Sequence, residues 1–86
     1  MDAPYIVRVR DSAERELRGL SPKDNQRVIR RLQALASNPR PPGVVKLAGQ
    51  EGYRVRQGDY RILYEVDDAN RTVTIAKVRH RREVYR

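Results

Sequence analysis

Apolar and polar residues alternate from Tyr5 to Arg10, with Tyr5, Val7 and Val9 on one side and Ile6, Arg8 and Arg10 on the other. That two-residue period is the signature of a strand with one covered face. The period then changes. Ala13, Leu17 and Leu20 recur at i, i+4 and i+7, and Asp11 followed by Glu14 has capping-box spacing, so a short helix is predicted to start near Ser12. Gly19 and the Ser21-Pro22 pair then break the chain. Glycine suits a left-handed C-terminal position, and Ser as N-cap with Pro at the first helical position opens a second helix. Val28, Ile29, Leu32, Leu35 and Ala36 make one stripe of that helix, with Lys23, Arg27, Arg30 and Arg31 mainly outside it.

Ser37-Asn38-Pro39-Arg40-Pro41-Pro42-Gly43 ends the helical half, because Pro removes backbone donors and turns its predecessor away from helical angles. It reads as a surface connector. After Lys46-Leu47 and a turn at Gly49-Gln50-Glu51-Gly52, strands are predicted from Tyr53 to Gln57, Tyr60 to Asp67 and Thr72 to Arg79. Gln57-Gly58-Asp59 and Asp67-Asp68-Ala69-Asn70-Arg71 are the hairpin turns. The order β-α-α-β-β-β predicts an α+β domain, an antiparallel sheet with a two-helix hairpin packed on one face.

The chain has 86 residues and a mass of 10.0 kDa, so residues 1–86 are expected to form a single domain. Apolar residues make up 38%, which predicts a thin core. With 35% charged residues, disorder competes as an explanation, but the helical and strand periods argue for a folded chain. Cysteine is absent, which excludes disulfides, thiolate nucleophiles and Cys-based zinc sites. Apolar runs reach only three residues, and no signal-peptide pattern precedes Arg8 and Arg10, so neither a bilayer span nor export is expected and the cytoplasm is the expected compartment. Net charge is 19 − 11 = +8, and the cations are mostly Arg, whose planar fork matches phosphate oxygens. Polyanions are the first partners to consider.

Alternation places Arg54 and Arg56 on the sheet face opposite Tyr53 and Val55. In the next strand Tyr60, Ile62, Tyr64 and Val66 form the apolar set, so Arg61 joins the arginines on the open face with Leu63 and Glu65. From Ile75 onward the chain carries Lys77, Arg79, Arg81, Arg82 and Arg86 against the single acid Glu83. A self-repelling cluster of this kind costs stability without an anionic partner, which favours binding of a phosphate backbone. Tyr85 is the one Tyr of the basic half free to meet a ligand. His80, the only His, cannot form a multi-His metal site, but an imidazole can serve in proton transfer.

Gly58-Asp59-Tyr60-Arg61-Ile62-Leu63-Tyr64-Glu65-Val66-Asp67, followed by a strand and Val78-Arg79-His80-Arg81-Arg82-Glu83-Val84-Tyr85, resembles RelE-type toxins of the RelE/ParE superfamily. The Tyr5-to-Leu20 pattern and Lys46-Leu47-x-Gly49 before Tyr53-Arg54-Val55 extend the resemblance over nearly the whole chain. The resemblance implies a fold similar to small microbial ribonucleases and a toxin of a type II toxin–antitoxin pair that cleaves messenger RNA in the ribosomal A site. By position it assigns catalytic roles to Arg54, Arg56, Arg61, Arg81 and Tyr85, with Lys46, Arg79, His80 and Arg82 as RNA-binding neighbours. The family pattern has Lys where this chain has Arg54 and Arg56. Arginine stays protonated, so neither serves as general base, and Tyr85 and His80 are the remaining proton carriers. No metal or cofactor is implied. The implied partners are the ribosome, messenger RNA and a cognate antitoxin with an acidic toxin-binding segment; no membrane partner is implied. A gyrase-directed toxin of the ParE kind and a non-catalytic RNA-binding module remain open alternatives.

Overall fold

The computed structural model describes residues 4–48 and 52–80. Its elements are β1 (Ile6–Val9), α1 (Asp11–Arg18), α2 (Pro22–Ser37), β2 (Val45–Lys46), β3 (Gly52–Gln57), β4 (Tyr60–Asp67) and β5 (Thr72–His80). They form the expected α+β arrangement around a five-stranded sheet of order β1-β5-β4-β3-β2. The β3–β4–β5 meander is antiparallel, β1 joins β5 in parallel, and the two-residue β2 adds to the outer side of β3.

The core lies between the helices and one sheet face. Ala13 and Leu17 of α1 and Val28, Leu32 and Leu35 of α2 pack with Val55, Ile62, Tyr64, Val73, Ile75 and Val78. Val73 and Ile75 share one parity and Val78 has the other, because Ala76 is extra in the register: Leu63 faces Lys77 while Tyr64 faces Ile75. This bulge restores the apolar side of β5 to the core after one unpaired residue.

Helix starts follow different rules in the two cases. Ser21 caps α2 as predicted, its side chain accepting from the Asp24 N–H at 3.2 Å with Pro22 next in line. The capping box expected at Asp11 and Glu14 does not form: Asp11 already lies inside α1, and Arg10 occupies the cap position with no side-chain bond. A single residue separates β1 from α1, leaving Asp11 to complement the helix dipole from within the first turn. Gly19 likewise keeps a right-handed φ of −80°, so Ser21-Pro22 rather than a left-handed glycine separates the helices.

Because β1 stops at Val9, the far half of β5 has no strand on its edge away from β4 among the described residues, and α1 supplies hydrogen bonds there. The Ser12 hydroxyl donates to the Ala76 carbonyl at 3.3 Å, and Glu16 Oε1 accepts from the Val78 N–H at 3.0 Å. Side chains of a helix thus cover a sheet edge that would otherwise be open to pairing.

The proline-rich connector is tied down at several points. The buried Tyr64 hydroxyl, its pKa pushed up to about 12 chiefly by burial, donates to the Pro39 carbonyl at 2.7 Å. Arg40 donates to both Asp68 oxygens at 3.0 and 2.9 Å and to the Tyr53 hydroxyl at 2.9 Å, and Tyr5 adds a bond to Asp68 at 2.5 Å. These bonds, Arg40 first, lower the Asp68 carboxyl from 3.8 to about 2. A carboxyl depressed in the fold contributes stability above its unfolded pKa and loses it as pH falls through the folded one. The gap in urea midpoint between wild type and Asp68→Asn should therefore be full above pH 3.8 and close toward pH 2. A gap independent of pH would assign the effect to shape rather than charge.

Candidate nucleic-acid interface

Register places the cations of the sheet face turned away from α1 and α2 in two rows. Arg56 of β3 faces Arg61 of β4, which faces Arg79 of β5, so three guanidiniums cross three adjacent strands. The neighbouring row runs Arg54, Leu63, Lys77. Directly opposed like charges oppose strand pairing, and here the opposition occurs twice in succession. The sheet tolerates it because it is held by the apolar face behind: Val55, Ile62 and Val78 are the intervening residues, and all three are buried.

The row is anchored at both ends. Arg56 Nε donates to the Gly58 carbonyl at 3.3 Å, across a turn where Gly58 takes a φ of 59° that favours glycine. At the other end Arg79 Nε meets Glu16 Oε2 at 2.6 Å, the same carboxylate whose second oxygen holds the Val78 N–H. Between them Arg61, on the central strand, is only 8% exposed. Alternation alone predicts an open guanidinium. The fold instead leaves it little contact with solvent, so its guanidinium is held in place rather than carried on a freely moving stem. Farther along this face Arg10 and Glu65 pair at 3.4 Å, which brings a carboxylate to the end of the positive stretch.

The structure therefore brings together Arg54, Arg56, Arg61 and Arg79, and adds Lys77 beside them. Lys46 pairs in register with Tyr53 and His80 with Tyr60, which places both on the opposite side of the sheet's pleat from the arginine rows. The His80 ring meets Tyr60 edge-on at 5.4 Å, and the Tyr60 hydroxyl donates to Asp24 of α2 at 3.3 Å. Arg81, Arg82 and Tyr85 lie outside the described residues. Glu16, which positions Arg79, carried no signal in the sequence, since its partners stand 62 to 63 residues away. Among the described residues no three His, Asp or Glu side chains converge as metal ligands do.

The family model for the ParE toxin of the type II toxin–antitoxin system parDE matches residues 7–85 of this sequence. The chain belongs to the RelE/ParE toxin family. It is 37% identical to toxin RelG of Mycobacterium tuberculosis over 87 aligned positions, covering 96% of this chain and 98% of that one. Toxin RelE of the same organism is 32% identical, with 99% and 90% covered. Among solved structures, the RelBE toxin–antitoxin complex of M. tuberculosis superposes with a TM-score of 0.81 at 32% identity, covering 90% of this chain and 98% of that chain. The archaeal RelE–RelB complex of Pyrococcus horikoshii gives 0.82 at 28%, covering 91% and 96%. The toxin's two-layer fold and sheet are those of RelE, within the type II toxin–antitoxin class. No helix among its described residues is long and apolar enough to cross a membrane.

Proposed function

We propose that this RelE-family toxin is a metal-independent endoribonuclease that cleaves translated messenger RNA in the ribosomal A site. The observation that carries the reading is the anchored row Arg56, Arg61, Arg79 with Arg54 beside it. RNA contains its own nucleophile. The 2′-hydroxyl attacks the adjacent phosphorus, the P–O5′ bond breaks, and the products are a 2′,3′-cyclic phosphate and a 5′-hydroxyl. The protein then has to position the strand and neutralise charge growing on the phosphoryl oxygens, which preorganised guanidiniums do without reorganisation at the moment of reaction.

In this reading Arg54, Arg56 and Arg61 hold the phosphoryl oxygens and Arg81 stabilises the departing 5′-oxygen. Tyr85 orients or deprotonates the 2′-hydroxyl, because the arginines cannot accept a proton. Arg79, tied to Glu16, and Arg82 contribute to binding the RNA strand. His80 and Lys46, on the other side of the pleat, stand apart from this path. With so weak an acid–base set, the ribosome supplies the strained geometry of the messenger, which makes cleavage depend on translation. A cognate antitoxin, acidic where it meets the toxin, silences the enzyme in the cytoplasm by covering the arginine rows or displacing the Tyr85 segment. Such a partner is supported by the M. tuberculosis and P. horikoshii relatives, both of which are toxin–antitoxin complexes.

Mapping RNA ends after brief expression in translating cells tests the proposal. New 5′-hydroxyl ends within coding regions are expected. Intact transcripts with collapse of DNA supercoiling would instead establish the gyrase-directed activity suggested by the ParE name of the family model, and RNA bound without cleavage would leave a binding module.

A further inference from the structure

Glu16 puts a carboxylate at the end of the Arg56, Arg61, Arg79 row, where a surface that only gathered phosphates would keep acids away. It is not needed to seat its helix. Ala13 and Leu17, 0% and 5% exposed, already bury α1 against the core. Ser12 and Glu16, four residues apart, lie on the stripe of α1 that borders β5 and meet that strand at the Ala76 carbonyl and the Val78 N–H. Glu16 makes two contacts there. One oxygen takes the Val78 N–H at 3.0 Å while the other faces Arg79 Nε at 2.6 Å. The carboxylate side chain is 22% exposed, and the Nε atom it faces is out of contact with solvent.

Three different devices fix the three guanidiniums of the row: the Gly58 carbonyl for Arg56, burial for Arg61, and Glu16 for Arg79. Arg79 has the most freedom to lose. It is the penultimate residue of β5, its side chain is 40% exposed, and among the described residues no strand lies on that edge of the sheet. Resting on the proposed nuclease activity, we infer that Glu16 is a positioning residue of the reaction, which holds the Arg79 guanidinium in place for the RNA strand and fixes the end of β5 that leads into Arg81 and Tyr85. Two effects oppose each other here. The carboxylate offsets part of the attraction of Arg79 for phosphate, but a guanidinium already held in one rotamer gives up less freedom on capture, which is worth about two- to tenfold in affinity for one side chain. The first effect acts through partly exposed charges that water and salt screen, so the second prevails.

The test is single-turnover cleavage of a defined messenger on translating ribosomes by full-length variants, over a series of ribosome concentrations, with a urea midpoint for each variant. Glu16→Gln keeps an oxygen for the Val78 N–H and loses only the charge facing Arg79. It should raise the half-saturating concentration about fivefold and change the saturated rate by less than about twofold. That direction is diagnostic, because the substitution adds one unit to a net charge of +8, which on electrostatics alone tightens RNA binding. Glu14→Gln makes the same charge change on the same helix, away from the row and beside Arg18, and should leave half-saturation where it is or lower it. In an Arg79→Gln background Glu16→Gln should add nothing further. Glu16→Ala also removes the acceptor of the Val78 N–H and should lower the saturated rate about tenfold or more, since small displacements of reacting groups are costly. An additive effect in the Arg79→Gln background would overturn the inference, because Glu16 would then not act through Arg79. So would a lower urea midpoint for Glu16→Gln with half-saturation unchanged, which would make Glu16 a helix–sheet contact and nothing more. A wild type that cuts no messenger would overturn the nuclease reading and the positioning role with it. Wild-type cleavage matched by Glu16→Gln at every concentration would sink the positioning role alone.

Discussion

Arg61→Ala is expected to slow RNA cleavage by about a hundredfold or more, the loss seen when one preorganised donor to a developing oxyanion is removed. The size of the effect follows from position. Arg61 lies at the centre of the arginine row, flanked by Arg56 and Arg79 and only 8% exposed, so neither neighbour can move into its place without leaving its own anchor at Gly58 or Glu16. The domain should remain folded, because the substitution also removes two like-charge oppositions across the sheet. Arg61→Lys should recover only part of the rate, since an ammonium supplies charge without the two-pronged geometry. Single-turnover cleavage in a translating extract, alongside a urea midpoint for each variant, makes the comparison. A folded Ala variant cutting at the wild-type rate would remove Arg61 from the site.

The second large effect concerns stability. Tyr64→Ala should cost about 3 to 5 kcal/mol, as large aromatic truncations in cores do. In a chain of this size that is a large part of a total of about 5 to 15 kcal/mol. Tyr64 is 1% exposed, stacks its ring on Tyr53 at a centroid distance of 5.8 Å, and holds the Pro39 carbonyl with its hydroxyl. Tyr64→Phe separates the two contributions: it keeps the packing and leaves one buried carbonyl without its donor, for a cost of about 1 to 3 kcal/mol. Denaturant melts of both variants should show Ala well below Phe. Equal midpoints would mean that the ring contributes little beyond its hydroxyl.

Where a residue's structural neighbours are also its sequence neighbours, the sequence is a good guide. The bounds of β4 follow from strict alternation between two turns, Ser21-Pro22 marks the start of α2, and Arg54, Arg56 and Arg61 share a face because the period of a strand is two. Interactions joined across long stretches of chain leave no such trace. The two residues of β2 are too few to show a period, the parallel pairing of β1 with β5 has no local signature, and Arg40 reaches Asp68 over 28 positions. The bulge at Ala76 is intermediate, since the change of parity from Val73 and Ile75 to Val78 is written in the chain but gains meaning only against a partner strand. Burial of Arg61 is a tertiary property, which alternation within one strand does not specify. For Arg79 the missing information is Glu16, on a helix that otherwise reads only as amphipathic.

The pairing of the first strand with the last sets the timing of assembly on the ribosome. Ile6 meets Thr72 across 72 − 6 = 66 residues, so β1 cannot be closed into the sheet until β5 has been made. At about 5 to 20 residues per second, some 3 to 13 seconds separate synthesis of the two. Arg79 completes its row only after that interval, and contacts so distant in sequence form slowly for reasons of loop entropy. The nascent toxin thus emerges with its arginines in chain order but not in register, and the arginine rows exist as a surface only once the last strand has joined the sheet.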